Sequence, residues 1–127
     1  MELRIAERVP LAPLSTIGVG GPARYYARVT HAEEVAGAAD WAASRRQPVL
    51  VWGGGSNVIV SDDGFPGLVL HIALRGLDVA ESGATVDVTA GAGEVWDDLV
   101  RTSVERGWAG LECLSGIPGL EIGRAHV

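Results

Sequence analysis

The sequence contains no lysine, and all ten of its basic residues are arginines. A P-loop needs a lysine after its glycines, so this class of phosphate site is excluded. The formal net charge is -6, which argues against a general binder of nucleic acids or anionic membranes, because such proteins carry a basic surface. No apolar run approaches membrane-spanning length, and no secretory signal is recognisable at the start of the chain.

Cysteine and histidine are also scarce. Cys113 is the one cysteine, so no intrachain disulfide is possible; this fits a reducing compartment, and we expect a cytoplasmic protein. Leucines lie close to Cys113 on both sides, and we predict that it is a small core residue. His31, His71 and His126 lack metal-ligand spacing, so solvated or capping histidines are predicted and no metal site.

The remaining composition is that of one globular domain: 127 residues, 47% of them apolar and 20% charged. Thr30 and Glu33 have the spacing of a capping box, which predicts a helix from there to about Arg46. Its buried face is predicted to hold Val35, Ala38, Ala39 and Ala42. A second helix is predicted at about 94–106, with Val95, Leu99, Val100 and Val104 as its apolar positions.

Several extended segments surround these helices. Residues 1–14 carry two prolines and are predicted to be an irregular lead-in, and residues 15–29 to form two extended pieces around a glycine turn. Strands are predicted at 48–52 and 68–72, and a hairpin-like pair around Glu81-Ser82-Gly83. The first helix and the strand after it then complete a β–α–β order.

The most informative segment is Gly53-Gly54-Gly55-Ser56-Asn57, which lies between apolar runs at 48–52 and 58–60, both predicted to be strands. Glycine permits positive φ and close approach of a ligand to the backbone. Backbone N–H groups in such a loop can point at phosphate oxygens, and Ser56 and Asn57 add side-chain donors. A tight turn without a ligand would usually need only one or two glycines. The segment therefore predicts a phosphate-binding loop.

Three other glycine-rich segments give weaker signals. Gly18–Ala23 matches the dinucleotide pattern G-x-G-x-x-A, but prolines precede it and a β-prone run follows, so we predict a structural turn. Gly91–Glu94 is predicted at a strand-to-helix junction, where carboxylates in the first helical turn would repel a phosphate. Ser115–Gly119 is typical of an ordinary loop, and a backbone clamp is the alternative.

Taken together, four segments resemble the flavin-dependent UDP-N-acetylenolpyruvoylglucosamine reductases of peptidoglycan precursor synthesis. The resemblance covers about residues 10–119, and Ser15 stands where the family usually has Asn. The four segments occur in the family's order and spacing, and they are Thr16–Ala23, Pro48–Asn57, Gly91–Val100 and Gly110–Gly119.

The resemblance implies an α+β fold: an FAD-binding domain of the vanillyl-alcohol-oxidase (PCMH) type, in which two small α/β subdomains hold the flavin. This domain would span residues 1–119, with a first subdomain at about 15–73 and the start of an incomplete second one at 74–119. Residues 120–127 depart from the family pattern, and we expect them to be a non-family tail of artefactual origin.

The resemblance also implies the ligands. FAD would be the cofactor and NADPH the hydride donor, and a UDP-sugar with an enolpyruvyl double bond would be reduced. The pyrophosphate of FAD would be bound by Gly53, Gly54, Gly55, Ser56 and Asn57. The flavin would be lined by backbone groups of Gly91, Gly93, Ser115, Gly116, Ile117, Pro118 and Gly119. No metal, membrane, nucleic acid or obligate protein partner is implied.

The family's substrate-binding Arg, proton-donating Ser or Cys and catalytic Glu would all follow Gly119. No catalytic residue is therefore predicted in this chain, and the fragment itself is expected to be inactive. Two alternatives stay open. One is an FAD-dependent oxidase of the same superfamily, although no histidine lies in the glycine loop for covalent flavin attachment. The other is a non-enzymatic module that binds a nucleotide or a phosphorylated metabolite.

Overall fold

The computed structural model describes residues 3–55, 58–116 and 120. By the pattern of its internal contacts the chain divides into two compact units, Met1–Ala73 and Leu74–Val127. Six strands, two α-helices and two short 3-10 turns (Ala12–Leu14 and Glu112–Leu114) lie in the described ranges. In chain order the strands and helices are β1 (Ala6–Pro10), β2 (Pro22–Val29), α1 (Ala32–Ser44), β3 (Val49–Trp52), β4 (Phe65–Ile72), β5 (Leu77–Ser82), β6 (Thr85–Ala90) and α2 (Trp96–Glu105).

The first unit is built on a four-stranded sheet with the order β1-β2-β4-β3. Strands β2, β4 and β3 are parallel, and β1 adds to the edge in the antiparallel direction. The predicted β–α–β unit is present as β2-α1-β3, but β4 inserts between its two strands. The carboxyl ends of the three parallel strands, at Val29, Ile72 and Trp52, therefore share one edge of the sheet.

Both faces of this sheet bury apolar side chains. On one face, Leu11, Ala23, Trp52 and Val69 form a fully buried cluster. The other face is covered in part by α1, which packs against β2 and β4. This arrangement explains why the central strand β4 is apolar almost throughout: a parallel strand that is covered on both faces has little solvent-facing surface.

Helix α1 begins one residue later than the capping pattern predicts. His31 is its N-cap and Glu34 is its N3 residue. The Glu34 carboxylate accepts hydrogen bonds from the backbone N–H groups of Thr30 at 3.0 Å and His31 at 3.1 Å. These two N–H groups have no partner within the helix, and the carboxylate satisfies both of them. Glu34 can therefore be buried, on a helix face for which apolar side chains were predicted.

The second unit contains a hairpin and a helix. Strands β5 and β6 pair from Leu77↔Ala90 to Ser82↔Thr85, which confirms the predicted hairpin. Gly83 in its two-residue turn has a φ of +61°, a conformation that glycine adopts readily. Helix α2 follows at 96–105, close to the predicted 94–106.

Three expectations for the strands are wrong. The lead-in at 1–14 contains β1, whose register with β2 runs from Ala6↔Tyr26 to Pro10↔Pro22. An edge strand tolerates Pro at its end, where the missing N–H does not interrupt the ladder. Residues 58–60 form no strand, and neither does the first part of 15–29. β4 begins at Phe65, three residues before the predicted start, and its register with β2 shifts between Ala23 and Tyr25.

Some burial predictions are also wrong. Ala39 is exposed, and so is Val104, at 58% of its surface. In α2 the buried positions are Trp96, Val100 and Ser103, whose hydroxyl donates to the carbonyl of Val100 at 2.6 Å. Because this hydroxyl has an acceptor inside the helix, a serine can occupy a buried position. Cys113 is exposed in its 3-10 turn and is not a core residue.

Within the described ranges, no helix is both long and apolar enough to cross a membrane. The same residues contain no group of three or more His, Cys, Asp or Glu side chains arranged to hold a metal ion.

Candidate cofactor-binding site

The glycine loop follows β3 at the carboxyl edge of the parallel strands. Trp52 is the last residue of β3, and Gly53, Gly54 and Gly55 come directly after it. In open sheets with parallel strands, ligands bind in the crevice beyond this edge. The position of the loop is therefore the one that the phosphate-binding prediction requires.

The three glycines have different surroundings. Gly55 is buried with a φ of +73°, and a Cβ added to it would lie 2.1 Å from the carbonyl oxygen of Leu14. Its own carbonyl accepts a hydrogen bond from the N–H of Thr16 at 3.0 Å. Gly53 is half-buried and Gly54 is exposed. Gly55 is thus required by packing of the chain, whereas the backbone of Gly54 is exposed.

Trp52, the residue before the glycine loop, is held in place by burial and by one hydrogen bond. Its side chain is fully buried, and its Nε1–H donates to the carbonyl of Leu14 at 3.3 Å. The same Leu14 carbonyl lies against Gly55. The carbonyl of Leu14, which is far away in the sequence, therefore contacts both Trp52 and Gly55.

The side chains of His71 and Tyr26 form a hydrogen-bonded pair on the sheet, near the end of β3. His71 on β4 pairs in register with Trp52, the residue before Gly53, and its Nδ1 lies 2.5 Å from the hydroxyl oxygen of Tyr26 on β2. Burial lowers the pKa of His71, the guanidinium of Arg28 lowers it further, and the nearby backbone of Gly53 raises it in part. Burial raises the pKa of Tyr26. Both side chains are consequently neutral near pH 7.

Five predicted binding residues lie outside the described residues. They are Ser56 and Asn57 in the glycine loop, and Ile117, Pro118 and Gly119 in the later segment.

In the second unit, Gly91 and Gly93 form backbone hydrogen bonds with the segment before β5. Gly91 N–H donates to the carbonyl of Gly76 at 2.9 Å, and Gly93 N–H donates to that of Leu74 at 2.7 Å. A Cβ on Gly91 would lie 2.5 Å from the Leu74 carbonyl oxygen. Both N–H groups are therefore engaged within the unit, and contact of a flavin with these glycines would have to use other backbone atoms.

Glu94 contacts the same segment before β5 with its side chain. Its Oε1 accepts a hydrogen bond from Gly76 N–H at 2.6 Å and lies 3.2 Å from Nε of Arg75. Sequence reasoning places Glu94 beside the helix dipole of α2, whereas the structure gives it specific partners before β5.

Leu114 and Gly116, on either side of Ser115, are hydrogen-bonded to the first turn of α2. Asp97 accepts a hydrogen bond from Gly116 N–H at 2.7 Å, and Trp96 Nε1–H donates to the carbonyl of Leu114 at 3.0 Å. Gly116 has a φ of +84°. The two predicted flavin-lining segments of this unit, at 91–93 and 115–116, thus meet at the start of α2.

Sequence reasoning missed the Tyr26–His71 pair beside β3, and Trp96 and Asp97 beside residues 115–116. Alternation along β2 and β4 could have placed Tyr26 and His71 on one face, but their contact depends on the register of two parallel strands. Gly18–Ala23 leads into β2 and not into a helix, and Gly21 N–H donates to Ser61 O at 2.8 Å, as expected for a structural turn.

A family described as "FAD binding domain" matches residues 23–124 of this sequence. The chain belongs to this FAD binding domain family. The match confirms the predicted α+β fold of the FAD-binding type and FAD as the cofactor.

Relatives of this FAD binding domain are named UDP-N-acetylenolpyruvoylglucosamine reductase. The chain is 49% identical to that of Cutibacterium acnes over 116 residues, which are 90% of this chain and 31% of the relative. It is 47% identical to that of Streptomyces coelicolor over 110 residues, 87% of this chain and 28% of the relative. The resemblance predicted from the four motifs is therefore confirmed, and the chain spans about a third of the length of these relatives.

A solved structure is similar as well. The chain matches the crystal structure of UDP-N-acetylenolpyruvylglucosamine reductase (MurB) from Thermus caldophilus with a TM-score of 0.70 and 32% identity. The match covers 96% of this chain and 41% of that one.

The first unit of this FAD binding domain has the chemistry that a diphosphate needs. Its loop carries no side chain at three consecutive positions, and no carboxylate occurs between Gly53 and Val60. Arg28, close enough to His71 to lower its pKa, brings a positive charge to the same edge. A backbone that can be approached closely, without negative charge and with a cation nearby, fits the pyrophosphate of FAD.

Proposed function

We propose that this chain is the FAD-binding part of an NADPH-dependent reductase that converts UDP-N-acetylenolpyruvoylglucosamine into UDP-N-acetylmuramate in peptidoglycan synthesis. The observation that carries the proposal is the identity of 40–49% to eight reductases of this name, over 86–94% of the chain. The single cysteine agrees with a reducing compartment, and we place the reaction in the cytoplasm.

In this proposal the first unit binds the pyrophosphate of FAD. The residues are Gly53 to Asn57, with the exposed Gly54 closest to the phosphate oxygens. The exposure of Gly54, the burial of Gly55 against Leu14 and the nearby Arg28 support this assignment. The second unit would contribute backbone atoms of 91–93 and 115–119 to the flavin.

Bound FAD would supply the hydride transfer from NADPH to the enolpyruvyl double bond. The residues of this chain would bind and orient the cofactor, and none is assigned a proton transfer. We therefore propose that the 127 residues by themselves bind FAD without reducing the substrate, and that the UDP-sugar and NADPH are ligands of the longer reductase.

A titration of the chain with FAD, followed by flavin fluorescence, tests the binding step. Gly54→Asp would place a carboxylate beside the pyrophosphate, and we expect it to weaken FAD binding at least tenfold. Gly83→Asp adds the same charge in the turn between β5 and β6 and should bind FAD like the unchanged chain. Equal binding by all three chains would refute the role of the glycine loop.

Further measurements separate the proposal from its alternatives. ADP that competes as strongly as FAD itself binds would indicate a nucleotide-binding module. Flavin that remains attached after denaturation would indicate a covalent oxidase. Oxidation of NADPH that depends on UDP-N-acetylenolpyruvoylglucosamine is expected with the Cutibacterium acnes reductase as the positive control. Turnover by the 127-residue chain above a flavin-free blank would refute its proposed inactivity.

A further inference from the structure

The first unit contains a second cleft, at the end of its sheet away from the glycine loop. It has a volume of about 520 Å³, which is within the range of small-molecule binding sites. Its lining residues are Ile5, Glu7, Tyr25, Trp41 and Arg45. Tyr25 lies in register with Leu68 on β4, and Leu68 with Val49 at the start of β3. Val49 precedes Trp52 by three residues, or about 10 Å of strand. The cleft and the glycine loop are therefore separate sites.

Two aromatic side chains form the main apolar part of this cleft. The ring centroids of Tyr25 on β2 and Trp41 on α1 are 4.9 Å apart, and the ring planes meet at 74°. Edge-to-face pairs of this kind are a favoured arrangement of aromatic rings, so each ring helps to hold the other in place. Both rings are half-buried, as is Ile5, which leaves part of their surface available to a ligand.

Arg45 places hydrogen-bond donors beside these rings. Its guanidinium carbon lies 4.6 Å from the ring centroid of Trp41, a cation–π contact that orients the side chain. Nη1 of Arg45 donates to the hydroxyl of Ser44 at 3.5 Å. In the part of the chain that the structure describes, Arg45 takes part in no ion pair. The other N–H groups of its guanidinium are therefore available to a ligand.

Glu7 on β1 supplies acceptors to the same cleft because β1 and β2 change faces together. Glu7 pairs with Tyr25, on the face of the sheet that α1 covers. Val9 pairs with Ala23, which belongs to the buried cluster on the other face. Residues two apart in a regular strand share a face. The exception coincides with the register shift between Ala23 and Tyr25 and with a φ of +53° at Arg8, a strained conformation of the kind that is concentrated at binding sites.

The charges of the cleft limit the chemistry of its ligand. An anion would be repelled by Glu7, and a cation would be repelled by Arg45. A wholly apolar ligand would remove water from both charged groups without replacing their hydrogen bonds. A hydroxyl group both donates and accepts, so it suits the carboxylate and the guanidinium equally. The ligand that fits is therefore neutral, rich in hydroxyl groups and apolar on one side.

We propose that this cleft binds a neutral pyranose sugar. The C–H groups of the sugar ring pack against Tyr25 and Trp41, since weakly positive hydrogens suit the electron-rich faces of aromatic rings. The hydroxyl groups donate to Glu7 and accept from Arg45. Ile5 adds aliphatic surface for a methyl group, so a sugar with an acetamido substituent binds more tightly than the plain hexose.

The indole N–H of Trp41 reports binding directly in an NMR titration. Trp41→Phe identifies its signal among those of the four tryptophans. We expect N-acetylglucosamine to shift this signal saturably, with half-saturation at a concentration at least threefold lower than for glucose. Trp108 is the internal control, because it also lies beside a guanidinium, that of Arg106 at 5.3 Å, but in the second unit. Equal shifts of both signals, or no saturable shift of Trp41, would overturn the proposal.

Substitution of the two charged residues tests the proposed hydrogen bonds. Glu7→Ala and Arg45→Ala change exposed side chains, so both variants should fold like the unchanged chain in urea unfolding. Each should raise the concentration of N-acetylglucosamine at half-saturation at least threefold. Glu33→Ala and Arg46→Ala are the matched controls, since they remove the same charges from exposed positions outside the cleft lining and should leave it unchanged. Unaltered half-saturation in either cleft variant would refute the contacts.

Two small probes test the other ligand classes. Glycine carries both charges and would pair with Glu7 and Arg45 together. Inorganic phosphate is purely anionic and would be attracted by Arg45 and by Arg24, whose guanidinium lies 5.3 Å from the ring centroid of Tyr25. Tighter binding of either probe than of N-acetylglucosamine would overturn the assignment to a sugar. None of these titrations includes FAD, so their outcome does not depend on the proposed function.

Discussion

The carboxylate of Asp97 accepts a hydrogen bond from the backbone N–H of Gly116 at 2.7 Å. From the sequence, Asp97 is a first-turn carboxylate that suits the helix dipole and repels phosphate. The structure gives the same charge a second role, because it anchors the segment in which the predicted flavin contacts at 115–119 begin. Carboxylate-to-backbone bonds of this kind are among the stronger hydrogen bonds in proteins.

Replacement of Asp97 should loosen this segment locally. We expect Asp97→Ala to accelerate hydrogen exchange of Gly116 N–H at least tenfold, with a loss of about 1.5–3 kcal/mol for a hydrogen bond to a charged group. Asp98→Ala is the matched control, since Asp98 lies in the same helical turn but pairs with Arg101 at 2.7 Å. Equal exchange at Gly116 in both variants would show that the dipole alone matters.

The clash at Gly55 predicts a large loss of stability. Gly55→Ala combines a positive φ with a Cβ 2.1 Å from the Leu14 carbonyl oxygen. We expect a penalty of about 1–2 kcal/mol for the left-handed backbone, and about 1–3 kcal/mol more for overpacking. Gly83→Ala has a similar φ of +61° and nothing within 4 Å, so it should show the backbone penalty alone in urea unfolding. Similar losses would contradict close packing at Gly55.

Glu34 should make stability depend on pH in the acidic range. Hydrogen bonds, above all from the backbone of Thr30, hold its pKa below the usual 4.5. Its contribution is complete above pH 4.5, the ordinary value, and is lost as the pH falls through the lower pKa of the folded state. Glu34→Gln should therefore be less stable than the unchanged chain at pH 7 but not at pH 2. Glu33→Gln, an exposed change in the same turn, should be neutral at both.

His71 should produce a separate pH dependence nearer neutrality. Burial lowers its pKa from the usual 6.5, so the unfolded chain binds the proton more tightly. The free energy of unfolding should fall as the pH drops below 6.5 and through the lower pKa of the folded state. His71→Gln should abolish this fall, whereas His31→Gln, at an exposed position, should retain it. Persistence of the fall in His71→Gln would assign it to another group.

Local patterns predicted much of the fold and of the candidate loop. The hairpin at β5 and β6 follows from period-two alternation around a glycine turn, and α2 from its apolar spacing. Other elements depend on partners far away in the chain. β1 is a strand because it pairs in the antiparallel direction with β2. Glu34 caps α1 because its carboxylate accepts a hydrogen bond from Thr30 N–H.

The sequence alone determined the family, the cofactor class and the location of the glycine loop, because runs of glycine at strand ends encode a local backbone geometry. Only the tertiary structure decided which peptide groups are available to a ligand. Gly55 is buried against Leu14, and the N–H groups of Gly91 and Gly93 are bonded to the segment before β5. Tyr26 on β2 and His71 on β4, 45 residues apart, form a hydrogen bond with each other. Each of these outcomes depends on a hydrogen-bond partner or a neighbour that folding brings from elsewhere in the chain, which local propensity cannot specify.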